Sequence, residues 1–200
     1  MRQSKEETVA RIKDAMTSLS QHSNINKLSI YDIASEARMS SSTIYHHYPN
    51  VEVLLYEMME NVFSDFISVV RNCLSGVDVQ HWRDINREVE SSLIEYCDSH
   101  PLAKKILYSQ HPYLSIQEAA KKNDLILGQE IENLYRNNFK LPTLPTHINI
   151  FIVALEAGDS LYFSHNEEGK PVSNEIIHEA RILTERYLSY YLPEYLPKIE

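Results

Sequence analysis

The residues with the clearest chemical potential form a polar run from Ser40 to Tyr48. Its hydroxyl and imidazole side chains are hydrogen-bonding groups that suit phosphate oxygens and base edges. Ile44 and Tyr48 stand four positions apart, so a helix would bring them to one face and leave the polar groups on the other. The run therefore predicts a short helix, ended by Pro49, with an apolar face for packing and a polar face for a polyanion.

A second helix must hold this one in place, and the preceding residues predict it. Ser29 and Asp32 have the spacing of a capping box, with an apolar residue just before the cap. The helix that starts there would run to Ala37, and its Ile33 and Ala34 would receive the apolar face of the polar helix. Two short helices separated by about three residues have helix-turn-helix spacing.

Helix-length apolar patterns flank this pair on both sides. Residues 5–19 carry apolar side chains at spacings of three and four, and a similar pattern runs from residue 51 for roughly six turns until Gly76. The chain has only four glycines and no alternating strand pattern. We therefore predict an all-α protein of about nine helices. The further helices are predicted at 82–98, 101–110, 114–138, 145–165 and 173–192.

The segment from Leu28 to Leu55 resembles the DNA-binding motif of TetR/AcrR-family (tetracycline-repressor-like) transcriptional regulators. In that motif a capped helix ending in Ile-Ala-x-x-Ala leads to Ser-x-x-Thr-Ile/Leu-Tyr-x-His-Phe-Pro. The matching positions are Ile33, Ala34, Ala37, Ser40, Thr43, Ile44, Tyr45, His47, Tyr48, Pro49 and Leu54. The resemblance implies a ligand-responsive repressor, acting as a homodimer on a palindromic site in double-stranded DNA. Its helix-turn-helix domain would span 1–50, and a helical ligand-binding and dimerisation domain would span 51–200.

The resemblance also implies roles for individual residues. Thr43, Tyr45 and His47 match positions that contact the DNA backbone or position the helix, whereas Ser41, Ser42 and His46 occupy base-facing places. The full predicted DNA-binding set is Lys27, Ser29, Arg38, Ser41, Ser42, Thr43, Tyr45, His46 and His47.

Three departures from the motif bear on DNA affinity. Arg38 stands where relatives usually have glycine, so it must adopt a left-handed backbone or change the turn. Ser41 and Ser42 replace a common Lys/Arg–Gly pair, and Val51 replaces a lysine that touches phosphate. Affinity for DNA would then be modest and would depend on Lys5, Lys27, Arg38 and the two histidines of the predicted helix, which gain positive charge in mildly acidic buffer. The departures keep a second interpretation open: an accessory helical small-molecule-binding protein of the same fold that has lost DNA binding.

The carboxyl-terminal part carries two apolar stripes and, before them, a group of aromatic residues. By the resemblance, the last two helices pair with their copies in a dimer, although packing within one chain is the alternative. The predicted interface residues are Ile152, Leu155, Gly158, Ile176, Ala180, Leu183 and Tyr187. The aromatic group is the candidate pocket for a small apolar or aromatic effector, with plain core packing as the alternative for each residue. It comprises Trp82, Tyr96, Tyr108, Tyr113 and Tyr135.

Catalytic and metal-binding interpretations have little support in the sequence. It has no glycine-rich phosphate loop, no nucleophile elbow and no His/Glu pair at metal-ligand spacing. Cys73 and Cys97 are far apart in a chain without a recognisable signal peptide, which indicates neither a disulfide framework nor a thiolate site. We therefore expect no enzyme, no cofactor and no metal.

The net charge of −9 is concentrated outside the predicted DNA-binding domain. Residues 1–50 hold six Lys and Arg against five Asp and Glu, and residues 51–200 hold thirteen against twenty-three. A near-neutral amino-terminal domain is compatible with a nucleic-acid partner, whereas the acidic remainder is not. No apolar run is long enough to cross a bilayer, so we predict a soluble cytoplasmic protein with no membrane partner.

Overall fold

The computed structural model describes residues 4–167 and 170–199, and regular structure within these ranges is almost entirely helical. The exceptions in those ranges are a 3₁₀ turn, Ile25–Lys27, and an isolated antiparallel bridge between Phe139 and Lys198. The helices are α1 (Lys5–Ser20), α2 (Ile30–Ala37), α3 (Ser41–His47), α4 (Val51–Asn72), α5 (Trp82–Ser99), α6 (Pro101–Leu107), α7 (Leu114–Asn138), α8 (Ile150–Ser164) and α9 (Asn174–Leu188). The predicted all-α class is confirmed.

By compactness the chain divides into two units. One, called the head unit here, runs to Val62 and includes His100–Ala120; the other, called the body unit, comprises Phe63–Ser99 and the chain from Lys121 onward. Helices α4 and α7 contribute residues to both. The predicted boundary at residue 50 divides the chain by function rather than by compactness, and it stays a prediction.

Side-chain caps fix where several helices begin. Ser4 and Glu7 form a capping box at α1, and Ser29 and Asp32 form the predicted one at α2. Such caps satisfy amide groups that the first turn leaves without partners, and each contributes about 1 kcal/mol. The predicted start of α2 is therefore confirmed by its own hydrogen bonds.

One helix begins later than its apolar pattern predicts. We expect a start near residue 145, but α8 begins at Ile150 because the Asn149 side chain accepts hydrogen bonds from the amides of Phe151 and Ile152. A cap of this kind stops the helix from extending backwards. Smaller differences occur at other ends: α6 ends at Leu107 rather than 110, α9 at Leu188 rather than 192, and α4 at Asn72.

The head unit is built around a small set of buried aliphatic side chains. Ile12 and Met16 of α1, Ile33 of α2, Ile44 of α3 and Leu54 of α4 have no exposed surface. Burying one such side chain contributes about 1.5–3 kcal/mol. These few residues therefore supply much of the stability that holds the helix-turn-helix together.

The segment His100–Ala120 joins the head unit through polar contacts with the 3₁₀ turn. Asn26 Nδ2 donates to the Gln110 carbonyl at 2.9 Å, and Asn26 Oδ1 lies 2.8 Å from His111 Nδ1. His111 Nε2 lies 2.7 Å from the Ile106 carbonyl oxygen. These contacts tie α6 and the start of α7 to the residues that lead into α2.

The body unit has an aromatic core. Trp82, Tyr135, Phe139 and Phe151 are at most 2% exposed. The Trp82 indole donates to the Pro193 carbonyl at 3.0 Å, so the tryptophan meets the hydrogen-bonding requirement of its buried N–H. None of the described helices is long and apolar enough to cross a membrane.

Candidate nucleic-acid interface

The turn between α2 and α3 contains a residue with left-handed backbone. Arg38 has φ 52° and ψ 47°. The Met39 amide donates to the Ala34 carbonyl at 2.9 Å, and the Arg38 amide to the Ser35 carbonyl at 3.2 Å, which together make a Schellman motif. Of the two outcomes predicted for an arginine at the glycine position, the left-handed conformation is the one adopted, at a cost of about 1 kcal/mol.

Three hydroxyl groups gather at the start of α3. Ser40 Oγ lies 2.9 Å from Ser42 Oγ and 2.7 Å from Thr43 Oγ1, and it accepts from the Thr43 amide at 3.2 Å. Ser40 therefore caps the helix, and its contacts hold the other two hydroxyls in place. Hydroxyls that are already ordered lose less conformational entropy when they bind a phosphate or a base edge.

Helix α3 turns its apolar residues inward and its polar residues outward. Ile44 is fully buried and Tyr48 is 3% exposed, as their spacing predicts, and α3 packs on α2. Of the predicted DNA contacts on this helix, Ser42, Thr43, Tyr45 and His46 are exposed, while Ser41 and His47 are half-buried. The polar face of α3, which belongs to the head unit, is therefore accessible to a binding partner.

The remaining predicted contacts border this face. Lys27 ends the 3₁₀ turn and Arg38 occupies the left-handed position, and both are exposed. Ser29 is committed to its cap, since its hydroxyl donates to Asp32 Oδ2 at 2.6 Å. That hydrogen bond, with one from the Ser29 amide, holds the pKa of Asp32 below its usual value. A contact of Ser29 with DNA stays a prediction.

Tyr31 is an exposed aromatic residue that the sequence reasoning missed. It is 67% exposed, and its ring lies edge-on to that of Tyr45 with centroids 6.5 Å apart. The pair forms an aromatic border beside the polar face of α3. The signal for it is Tyr31's place two residues after the cap, on the solvent side of α2.

A cleft of about 350 Å³ opens beside the carboxyl-terminal end of α3. Glu57 Oε1 is ion-paired with Lys13 Nζ at 2.6 Å and accepts a hydrogen bond from the Tyr48 phenol. The hydrogen bond from Lys13 is the main cause of the lowered pKa of Glu57. Burial is the main cause of the raised pKa of the Tyr48 hydroxyl. The residues that line the cleft are Lys5, Val9, His46, His47, Tyr48 and Glu57.

Val51 shows why one expected phosphate contact is missing. It stands where the motif has a lysine, and only 8% of it is exposed at the first position of α4. The position therefore supplies packing to the head unit instead of charge.

Comparisons with known proteins come from structure, because no protein-family model and no curated protein matches the chain. A TetR-family transcriptional regulator from Streptomyces coelicolor superposes with a TM-score of 0.66 at 19% identity, covering 92% of this chain and 99% of that one. A TetR-like regulator from Rhodococcus sp. RHA1 gives 0.63 at 14% identity, with 94% and 99% covered. Thermus thermophilus FadR, a TetR-family repressor solved with lauroyl-CoA, gives 0.63 at 14%, with 96% and 99% covered.

The chain has the TetR-family fold. The likeness extends over nearly the whole chain, so it includes both the helix-turn-helix and the helices that follow. In this TetR fold, the predicted effector residues are divided between the two units: Trp82, Tyr96 and Tyr135 belong to the body unit, and Tyr108 and Tyr113 to the head unit.

Among the predicted pocket residues in the body unit of this TetR fold, Tyr135 has a hydroxyl group with an unmet hydrogen-bonding requirement. Its ring packs on Phe151 with centroids 4.5 Å apart, and its buried hydroxyl has no hydrogen-bond partner within the described ranges. By contrast, Tyr96 donates to Asp65 Oδ2 at 2.7 Å, and Trp82 is already paired. A buried hydroxyl without a partner costs about 1–3 kcal/mol, so Tyr135 is the predicted pocket residue that would gain most from a new hydrogen-bond partner.

The predicted dimer residues lie on different faces of α8 and α9. Gly158 and Ala180 are buried within the chain, and a Cβ at Gly158 would lie 3.3 Å from Thr184 Cγ2, so this glycine permits close packing of the two helices. Leu183 is 41% exposed. The half-buried members of the set are Ile152, Leu155, Ile176 and Tyr187. The sequence reasoning missed Ile182 and Phe163, which are exposed to a similar degree as Leu183.

Three carboxylates on α7 and α8 of the body unit also escaped the sequence reasoning. Burial raises the pKa of Asp124 to about 6, helped by the charge of Glu156. Asp159 keeps some solvent contact, yet the protein around it and the charge of Asp124 raise its pKa to about 7. Residues 4–167 and 170–199 contain no group of three or more His, Cys, Asp or Glu side chains that could hold a metal ion.

Proposed function

We propose that the chain is a transcriptional regulator that binds double-stranded DNA as a homodimer and responds to a small apolar or aromatic effector. The observation that carries the proposal is the exposed polar face of α3, which is anchored by buried Ile44 and Tyr48. A short helix of this kind presents its first turns to base edges in the major groove, while neighbouring side chains contact phosphates. In this proposal Ser41 and Ser42 read bases, and Thr43 and Tyr45 contact the backbone. The other proposed contacts are Lys27, Ser29, Arg38, His46 and His47.

The homodimer rests on apolar side chains that α8 and α9 leave exposed. Leu183, Ile182 and Phe163 are each about two-fifths exposed, although most apolar side chains of the body unit are buried. A second copy packing against these helices would remove that surface from water, and a twofold interface uses the same patch on both copies. Two helix-turn-helix units related in this way would meet major-groove segments about one turn apart on a palindrome.

The proposal of an effector is supported by Tyr135 and by the ligands bound to two proteins of the same fold. The buried Tyr135 hydroxyl lacks a partner in the described part of the chain, so an apolar molecule with one hydrogen-bonding group would suit it. The FadR structure contains lauroyl-CoA, and the SmeT structure, with a TM-score of 0.60 at 12% identity, contains triclosan. An effector of this chain would lower DNA affinity by binding more tightly to the conformation that releases DNA.

Fluorescence anisotropy with a duplex from upstream of the chain's own gene tests DNA binding. We expect tight binding by the wild type and at least a tenfold loss with Tyr45→Ala, because Tyr45 is exposed and contributes little to the core. Tyr195→Ala is the matched control, since Tyr195 is an exposed tyrosine of the body unit. Equal affinity of the wild type for this duplex and for scrambled DNA would contradict the proposal.

Light scattering after size-exclusion chromatography tests the dimer. Leu183→Glu should convert a dimer into a monomer, because it places a charge on the proposed interface. Leu114→Glu changes an equally apolar and more exposed residue of the head unit and should leave the dimer intact. A wild type that is monomeric at micromolar concentration would refute the homodimer.

The buried Val51 and the absence of Lys and Arg from α3 favour a second candidate, an accessory small-molecule-binding protein that has lost DNA binding. A thermal-shift screen of apolar and aromatic compounds separates the two candidates. Stabilisation by a compound together with no specific duplex binding would identify the accessory protein. Stabilisation together with release of bound duplex would identify the regulator.

A further inference from the structure

Two exposed tyrosine rings border the polar face of α3. Tyr31 is the second residue of α2 and is 67% exposed, and Tyr45 lies in α3 and is 44% exposed. Their rings meet edge to face, with centroids 6.5 Å apart and planes 80° apart. This geometry is favourable for aromatic rings, so each ring limits the motion of the other. Helix α2 therefore adds an ordered apolar surface beside the hydroxyl and imidazole groups of α3.

Helix α3 lacks the side chains that distinguish bases most strongly. Its sequence, Ser-Ser-Thr-Ile-Tyr-His-His, contains no Arg, Lys, Asn or Gln to make paired hydrogen bonds with guanine or adenine, and no Asp or Glu to accept from cytosine. Each hydroxyl group or imidazole ring makes one hydrogen bond to a base edge, which discriminates less well than a pair. The exposed cations Lys27 and Arg38 lie in the segments before α2 and α3 and suit phosphate oxygens. A preference for particular bases therefore needs another kind of contact.

The remaining kind of contact is apolar, and it selects thymine. In the major groove thymine alone among the bases carries a methyl group, on its C5 atom, and apolar side-chain atoms recognise that group. The exposed ring of Tyr31 offers such atoms, and its phenol hydroxyl can stay in water. Because Tyr31 lies next to the polar face, a base pair beside those contacted by α3 would meet its ring.

We propose that Tyr31, oriented by Tyr45, contacts the methyl group of a thymine in each half of a palindromic operator and so specifies an A·T pair at that position. The proposal rests on the proposed DNA-binding function and deepens it, because the positions that match the TetR motif do not include Tyr31. Tyr45 acts on the thymine through Tyr31 and is a positioning residue for it. Because an apolar contact releases no counterions, the preference for thymine should not change with salt, whereas the overall affinity should fall as salt rises.

The first experiment removes the methyl group from the DNA. A duplex that the wild type enriches from a random library serves as the probe, and each thymine is replaced by deoxyuridine at equivalent positions of both halves. At one position we expect an affinity loss of about fifteenfold, because burying one methyl group contributes about fourfold in each half. The loss should be the same at low and high salt. Losses below about twofold at every thymine would overturn this inference while leaving the proposed function intact.

Variants of Tyr31 separate the ring from its hydroxyl group. Tyr31→Ala should bind the thymine and deoxyuridine duplexes about equally, whereas Tyr31→Phe should keep the wild-type discrimination. Both substitutions leave the core intact, because the side chain is exposed. Tyr195→Ala, at an exposed tyrosine of the body unit, is the control and should discriminate like the wild type. Full discrimination by Tyr31→Ala would overturn the proposal, and so would its loss in Tyr31→Phe, which would make the phenol hydroxyl the contact.

The second experiment returns the methyl group to a different base pair. At the sensitive position of both halves, cytosine replaces thymine in one duplex and 5-methylcytosine replaces it in another, with guanine opposite. These two duplexes differ only by the methyl group, so the wild type should bind the methylated one about fifteenfold more tightly, and Tyr31→Ala should not distinguish them. Equal binding by the wild type would mean that the A·T pair is recognised through hydrogen bonds or DNA shape, which overturns the proposal. Enrichment of no duplex from the library would instead refute the proposed DNA-binding function.

Discussion

The charge-paired carboxylates of the head unit and the desolvated carboxylates of the body unit have pKa values shifted in opposite directions, whereas solvated, paired carboxylates of the body unit such as Glu130 resemble those of the head unit. In the head unit, Asp32 and Glu57 have lowered pKa values, because hydroxyl, amide and ammonium groups stabilise their charged forms. In the body unit, Glu90, Asp124 and Asp159 have raised pKa values, chiefly because burial disfavours the charge. The head unit thus uses solvated charge for caps and ion pairs beside its polar face. In the body unit, ionisable groups such as Glu90 and Asp124 lie in poorly solvated surroundings. In such surroundings a change of ligand or of protonation state alters the free energy most.

The sharpest test of this difference removes the cation from each network. Arg181 Nε donates to Glu90 and Tyr162 donates to the same carboxylate, so Arg181→Ala leaves that carboxylate buried without its counter-ion. We expect a loss of about 3 kcal/mol in urea unfolding. Lys13→Ala should cost less than about 1 kcal/mol, because its partner Glu57 remains solvated. Equal losses for the two variants would end the distinction between the units.

A second test concerns a polar contact inside the head unit. His111→Ala removes the contacts of its ring with Asn26 Oδ1 and the Ile106 carbonyl, and should lower the free energy of unfolding by about 1–2 kcal/mol. His22→Ala, at an exposed position of the same unit, should change it by less than about 0.5 kcal/mol. Hydrogen exchange should also show faster opening of residues 100–120 in His111→Ala. Unchanged exchange there would mean that apolar packing alone holds this segment.

The pH dependence of stability sharpens the comparison through Asp159. Its pKa rises from 3.8 to about 7, so the folded chain holds this proton more tightly than the unfolded chain does. Stability should therefore fall as pH rises from about 4 to about 7, and the loss should persist above that range. Because the side chain keeps solvent contact, we expect an effect of at most about 1 kcal/mol. Asp159→Asn should flatten this part of the curve measured by denaturation at several pH values, and an unchanged curve would contradict the assignment.

The smallest expected effect is a gain in stability from a substitution in the head unit. Arg38→Gly places glycine at the left-handed position and should raise the free energy of unfolding by about 0.5 kcal/mol, since relief of backbone strain slightly exceeds the entropy cost of glycine. Arg38→Ala keeps the strain and serves as the control. A lower stability of Arg38→Gly than of Arg38→Ala would show that the strain is absent.

Short-range features of the candidate site could be predicted from the sequence. The Ser29–Asp32 cap and the inward direction of Ile44 and Tyr48 depend on spacings of three and four residues, which a helix converts directly into contacts. Features that depend on distant residues could not. Lys5 and Glu57 reach the cleft only after α1 and α4 pack beside α3. The predicted start of α8 near residue 145 was wrong because the side-chain cap of Asn149 outweighed the apolar pattern.

By itself, the sequence determined the helical class, the helix-turn-helix and the polar face of α3, because local periodicity and caps encode them within a few turns. Only the tertiary structure decided that residues 100–120 join the head unit, that His46 and His47 share a cleft, and that Glu90 and Asp124 lose favourable solvation. The physical reason is that burial and charge compensation are set by every side chain within several ångströms, and most of these come from distant parts of the chain.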